Sequence, residues 1–401
     1  MIKYYISLLK KHASLLIMGL GAFGIFSTNV GLKSILSDHD YYNYSIIVTV
    51  LALLASFGAL GLDQVFLRLA SVKGKTISFD KKLLPTALIS ALLTSFCSYL
   101  YLIHLVEVEV NGVIIFIICF SSVWIMLFYN VTRLASLFVI SQLIQNSWKI
   151  FFGTMLVVLF FNEGLYYYFF HTLCAFVIIV LVLSLIYLKQ KLSFKLENSH
   201  TKREIFLFSF HFFLALLAVS FLSQGDRLLV ERTFTESEFG DYFYLATYFL
   251  FPFSLFQSYI GFKELVYMKS ERLNLNKKLK AIFSGSLLFS FFLFFLISLF
   301  SKYNYINLDI KDNLPMIVVF LIIGNIKIIY SLFSSVIGAR ASLKQIKIMN
   351  LTFISTSLFV VVIFWGFIET ITSLVVMFSI LWLIRLIIWG YFSQRHTFND
   401  N

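Results

Sequence analysis

Residues 112–132 read GVIIFIICFSSVWIMLFYNVT, without one charged side chain. A helix rises about 1.5 Å per residue, and about 20 apolar residues cross the hydrocarbon core of a bilayer. This stretch therefore reads as a membrane-spanning helix. It is one of about twelve of that length, predicted at 13–36, 44–67, 84–106, 112–132, 138–161, 166–188, 205–231, 241–262, 281–300, 313–337, 348–368 and 370–392. Together they fill the chain and leave no room for a soluble domain. Composition agrees: 60% hydrophobic, 18% aromatic with 48 Phe, only 13% charged, and a mean hydropathy of +0.89. The expected class is an all-α integral membrane protein.

The net charge of +12 would point to nucleic acid in a soluble protein; here it encodes topology instead. One set of connections carries Lys10, Lys11, Lys73, Lys81, Lys82, Arg133, Lys189, Lys191, Lys195, Arg340 and Lys344. The other carries Asp38, Asp40, Glu107, Glu109, Glu163, Glu236, Glu238, Asp309 and Asp312. Basic loops stay in the cytoplasm, so both termini are expected there. The run from Ala13 has no clear small-residue cleavage site and reads as a retained first helix rather than a signal peptide. Cys97, Cys119 and Cys174 lie inside apolar segments without CxxC spacing, and read as small buried side chains. His104, His171 and His211 lack metal-ligand spacing.

The chain looks doubled. Ser37-Asp-His-Asp-Tyr-Tyr-Asn-Tyr44 recurs as Thr235-Glu-Ser-Glu-Phe-Gly-Asp-Tyr242, in the loop after the first helix of each half. Gly61-Leu-Asp-Gln64 faces Gly261-Phe-Lys-Glu264, and Arg133-Leu-Ala-Ser echoes Arg340-Ala-Ser. The expected organisation is a six-helix half at 1–188, a basic cytoplasmic linker at 189–204 and a second six-helix half at 205–401. Halves of this kind enclose a central cavity opened alternately to each side.

The segment Asp226-Arg227-Leu-Leu-Val-Glu231-Arg232-Thr-Phe-Thr-Glu236-Ser-Glu238-Phe-Gly240-Asp241-Tyr242 resembles a recurring family pattern. It is similar to the polysaccharide-transporter branch of the multidrug/oligosaccharidyl-lipid/polysaccharide exporter superfamily, the Wzx-type flippases. The pattern there is an acid and a base at the outer end of helix seven, then an acidic-Gly-x-Tyr turn into helix eight. The resemblance implies a multi-pass protein of the bacterial inner membrane. It implies movement of polyprenyl-pyrophosphate-linked oligosaccharide repeat units to the outer leaflet for O-antigen or capsule export. Partners would be that lipid-linked glycan, membrane lipids and the polysaccharide polymerase machinery, with no nucleic acid. Under it, Arg227 would contact substrate near the outer opening and Asp226 would orient a neighbouring helix. Related peptidoglycan-precursor flippases carry fourteen helices and an Arg in the first; this chain departs from both features.

Polar residues inside spans mark the transport path, because a cation at mid-bilayer costs at least roughly 2.5–3.5 kcal/mol. Lys327 lies deep in the tenth span, in a stripe with Gly324, Ser331, Ser334 and Gly338. It reads either as a cation lining the path of a pyrophosphate head or as a lysine snorkelling to the interface. Lys149, beside Gln145 and Asn146, poses the same choice. Gln224 on span seven and Asn325 on span ten are neutral candidates for the substrate. Arg133 and Arg340 would greet incoming headgroups or merely enforce topology. Asp63 and Lys263 occupy repeat-related positions, as an inner gate or as ordinary interfacial charge. Pro252 is expected to kink span eight.

The chain has no Gly-rich phosphate loop, and no cofactor is expected. Two rivals remain: a membrane enzyme of envelope glycan synthesis, disfavoured because the longest loops are basic, and a drug exporter, which would want intramembrane acids.

Overall fold

The computed structural model describes residues 2–73, 76–197, 200–270, 275–306 and 308–398, without side chains for 2–12, 262–270, 339, 343 and 395–398. Helices dominate: α1 (Ile2–Ile35), α2 (Asp38–Phe57), α3 (Leu62–Leu69), α4 (Leu83–Leu100), α5 (Gly112–Leu134), α6 (Phe138–Phe161) and α7 (Phe169–Lys191). They continue with α8 (Lys202–Thr233), α9 (Glu236–Phe249), α10 (Phe251–Ser270), α11 (Leu275–Lys302), α12 (Leu314–Arg340), α13 (Leu343–Trp365) and α14 (Ile371–Phe398). Among the described residues, 11 helices are long and apolar enough to cross a membrane. The chain is a multi-pass membrane protein.

The expectation of about twelve differs at the eighth span. Residues 241–262 divide between α9 and α10 at Leu250. Pro252 has no N–H to give the Tyr248 carbonyl, so the helical hydrogen bonding is interrupted there. The second span breaks similarly: α2 ends at Phe57, and Leu60 and Gly61 take left-handed backbone (φ 49° and 78°) before α3. A Cβ on Gly61 would lie 2.5 Å from the Ser209 carbonyl, so that break needs glycine.

Two compact units emerge, Met1–Ser220 and Phe221–Asn401, with the boundary inside α8. By share of its apolar 18-residue window, Asp38–Leu69 is the most buried span of the first unit at 72%, and Leu314–Gly338 that of the second at 61%. Most of the other spans show lipid-facing Phe, Leu, Ile and Val, as expected where the surrounding solvent is hydrocarbon.

In the first unit α1 crosses α6 at glycine contacts. A Cβ on Gly24 would stand 2.4 Å from the Lys149 backbone oxygen, and one on Gly153 would stand 2.9 Å from the Gly24 Cα. Small residues let membrane helices approach closely. Backbone cannot yield as a side chain can, so Gly24→Leu should cost at least about 1–3 kcal/mol. The expected readout is a clearly lowered thermal unfolding midpoint in detergent. Gly19→Leu, at a position with nothing within 4 Å, should leave that midpoint unchanged.

Alongside the helices, a small sheet joins two connections. β1 (Ser71–Lys73) pairs antiparallel with β2 (Thr76–Asp80), and β2 pairs parallel with β3 (Ser193–Glu197). Residues 189–204, expected as a basic linker, thus hold the end of α7, a strand and the start of α8. Alternation of Ser193-Phe-Lys-Leu-Glu197 and Thr76-Ile-Ser-Phe-Asp80 gives each strand one apolar face.

The helices α2 and α9, each following one of the two similar acidic loops, are capped by a hydroxyl. Ser37 accepts from the Asp40 amide at the start of α2, and Thr235 accepts from the Glu238 amide at the start of α9. Glu238 completes a capping box, accepting from the Thr235 amide at 3.0 Å. Those hydrogen bonds, from the Thr235 backbone and hydroxyl, hold the Glu238 carboxyl below the usual carboxylate range.

Candidate functional site

Charge concentrates in the interior of the second unit, where α12 and α14 pack in parallel. Lys327 follows Leu314, the start of α12, by 13 residues (327 − 314), about 20 Å along the axis. Arg385 follows Ile371, the start of α14, by 14 (385 − 371), about 21 Å. Both are buried, at 4% and 2% exposure.

Aromatic rings hold the two cations. The Lys327 Nζ lies 5.2 Å from the centre of the Trp382 ring. The Arg385 guanidinium sits over Trp389 at 4.1 Å, Phe353 at 4.8 Å and Tyr330 at 5.2 Å. Its Nε also donates to the Tyr330 hydroxyl at 3.0 Å. Lys327 and Tyr330 are one turn apart on α12, as Trp382 and Arg385 are on α14, so each helix places a cation beside the other's ring. Such contacts are worth about 2 kcal/mol or more when desolvated. They offset much of the insertion cost of a buried cation, without neutralising its charge.

α8 supplies the rest. Trp382 donates its indole N–H to the Leu222 carbonyl at 2.9 Å, which fixes α8 against α14. One turn on, Asp226 is buried, and its Oδ2 accepts from the Tyr242 hydroxyl of α9 at 2.5 Å. Arg227 lies over the Phe243 ring at 4.8 Å. Lys327 is within electrostatic reach of both, attracted by Asp226 and repelled by Arg227. No carboxylate lies within 4 Å of Lys327, Arg227 or Arg385 among the described residues. Counting formal charges, the buried Lys327 and Arg385 and the half-buried Arg227 against Asp226 leave a surplus of positive charge. The Oε1 of Gln224, Oδ1 of Asp226, Nε of Arg227 and Nη1 of Arg385 are buried without a hydrogen-bond partner in the protein. Chemically, the arrangement suits an anion bearing several oxygens.

The other sequence candidates fall elsewhere. Asn325, two residues from Lys327 and hence on another face of α12, gives its amide to Ser290 Oγ at 2.7 Å and Leu321 O at 2.8 Å. It ties α12 to α11 rather than joining Lys327. Arg133 and Arg340 sit in the last turns of α5 and α12, where a cation meets the negative end of the helix dipole. Lys149 belongs to the first unit and borders, with Gln145, Ser122 and Trp148, a cavity of about 40 Å³. Asp63 is buried in the first turn of α3, with Oδ2 accepting from Gln64 Nε2 at 2.7 Å. The Lys263 side chain lies outside the described residues, and with it the suggested gate. The Ser–Gly stripe shifts too. Ser331 and Ser335 are buried, and Ser335 Oγ donates to the Gly261 carbonyl at 3.1 Å, while Gly338 is exposed.

Arg385 is the residue that sequence reasoning passed over. Its signal was a charge in the middle of the last span, with Trp382 and Trp389 three before and four after it. Among the described residues no three His, Cys, Asp or Glu side chains are grouped to hold a metal ion. Compared with models of known protein families, with curated proteins and with solved structures, the chain matches none significantly.

Proposed function

We propose that the chain is an alternating-access transporter for an anionic, lipid-linked substrate. In this reading it flips polyprenyl-pyrophosphate-linked oligosaccharide repeat units from the cytoplasmic to the outer leaflet of a bacterial inner membrane, for surface polysaccharide export. The observation that carries it is the pair Lys327 and Arg385, both about 20 Å inside their helices, buried among aromatic rings, with no carboxylate in ion-pair range among the described residues. A lipid-linked glycan keeps its tail in the bilayer, so only the pyrophosphate head and sugars need a polar route. Buried cations lower the electrostatic cost of that head in transit.

The doubled element order supports the same reading. Each unit has a capped helix that breaks midway (α2–α3 and α9–α10). In each, a tyrosine of that helix bonds a polar residue of the preceding one: Tyr44 to Asn29 Oδ1 at 2.7 Å, Tyr242 to Asp226 Oδ2. Internal repeats of this kind are common in alternating-access transporters. A cationic drug would be repelled by the surplus positive charge, which favours the anionic substrate.

Deletion of the gene should leave lipid-linked repeat units on the cytoplasmic leaflet and remove the surface polymer. Normal polymer in a deletion strain without a redundant transporter would exclude this function.

A further inference from the structure

The basic end of the first unit holds a second feature, distinct in its chemistry from the Lys327 region. A cavity of about 380 Å³ opens there, between α3, α4, α5, α7 and the small sheet. Phe66, Phe79, Trp124, Leu127 and Phe194 are among its walls, and among the described residues Lys189 is the one charged residue lining it. The sheet builds one wall by its alternation. Phe79 pairs with Leu196 and Ile77 with Phe194, and Phe79, Phe194 and Leu196 face the cavity. The polar partners Thr76, Ser78, Ser193 and Lys195 occupy the opposite face.

Water is a poor occupant. The volume is many times what a single water needs, and every water needs two to four polar partners. Lys189 alone cannot supply them. The opening therefore suits a hydrocarbon chain, the one apolar solvent a membrane offers.

Charge at the opening selects the headgroup. Lys189, which lines the cavity, and Lys191 end α7, both exposed; Lys73 and Lys195 lie on the sheet face turned away from the cavity, Lys195 within 3.9 Å of Glu197. Acidic residues in these described segments are only Asp80 and Glu197. Asp80 is already engaged by the amides of Lys82 and His200, each at 2.9 Å. Lys189 thus brings a positive charge to an otherwise apolar mouth beside the amphipathic sheet. We propose that this cavity takes one hydrocarbon chain of an anionic phospholipid, whose phosphate rests against Lys189. The proposal is independent of what the second unit carries.

The test uses the full-length protein in phosphatidylcholine bilayers, with Trp124 as reporter. Equal mole fractions of phosphatidylglycerol or phosphatidylcholine with brominated chains are added. The quenching that Trp124→Phe abolishes is taken as the cavity signal. Phosphatidylglycerol should quench that component at lower mole fraction than phosphatidylcholine does. Lys189→Gln, at an exposed position that leaves packing intact, should reduce the preference about fivefold, the worth of one interfacial lysine toward anionic lipid. Lys302→Gln, in the second unit, should leave it unchanged. Equal quenching by the two lipids, or a preference untouched by Lys189→Gln, would overturn the proposal. So would a Trp124 component that neither lipid quenches.

Discussion

Lys327→Ala should leave the protein inserted and folded while abolishing export. The ammonium is buried against Trp382, about 20 Å along α12 from its start, rather than extended toward a helix end. Removing it trades a buried cation for a methyl group and leaves the Trp382 indole still bonded to Leu222; stability should change little. The substrate head loses more. A unit pair at 4 Å is worth about 4 kcal/mol at an effective dielectric near 20, on the order of a 10³-fold change in rate if the contact is made only in transit. Lys327→Arg should keep part of the activity, because a second cation can occupy the face of Trp382. The measurement is surface polymer in a deletion strain complemented with each variant at matched membrane abundance. Wild-type export from Lys327→Ala would return the residue to a packing role.

What the sequence made legible follows from the bilayer. Hydrocarbon demands long apolar runs with internally satisfied backbones, so the spans around residues 112–132 or 348–368 stand out without any knowledge of packing. The break at α9–α10 was half visible, since Pro252 marks a kink but not its place at Leu250. Lys327 was legible for the same reason as the spans: charge in hydrocarbon is costly and conspicuous. Its partners were not, because which ring covers a cation depends on how α12 and α14 pack side by side. Asn325 shows the limit. Two residues from Lys327, it turns toward Ser290 on α11, and composition alone does not reveal that turn. The sheet escaped because its strands are only three and five residues long and belong to separate connections. Its period-2 alternation is present in both, yet pairing across more than a hundred residues is a tertiary fact.

Arg385→Leu offers the sharper separation of function from architecture. Three rings and the Tyr330 hydroxyl surround the guanidinium, a setting that looks built for structure. A buried charge is nevertheless a weak source of stability: replacing one with an apolar side chain of similar size is often neutral or stabilising. Arg385→Leu keeps apolar contact with Trp389 and Phe353 and removes an Nη1 that has no partner in the protein. Its thermal unfolding midpoint should therefore match or exceed that of the wild type. Export should fall by at least tenfold, because the surplus positive charge beside Lys327 is diminished. Arg385→Lys should show the complementary pattern. Charge is retained, while the planar stacking and the fixed donor to Tyr330 are lost, so the midpoint should drop and some export should survive. If Arg385 is purely structural, the order reverses: Leu would lower the midpoint, and export would decline only as folded protein is lost. The two variants, read by midpoint and by polymer per folded molecule, divide those cases because charge and stacking are removed one at a time.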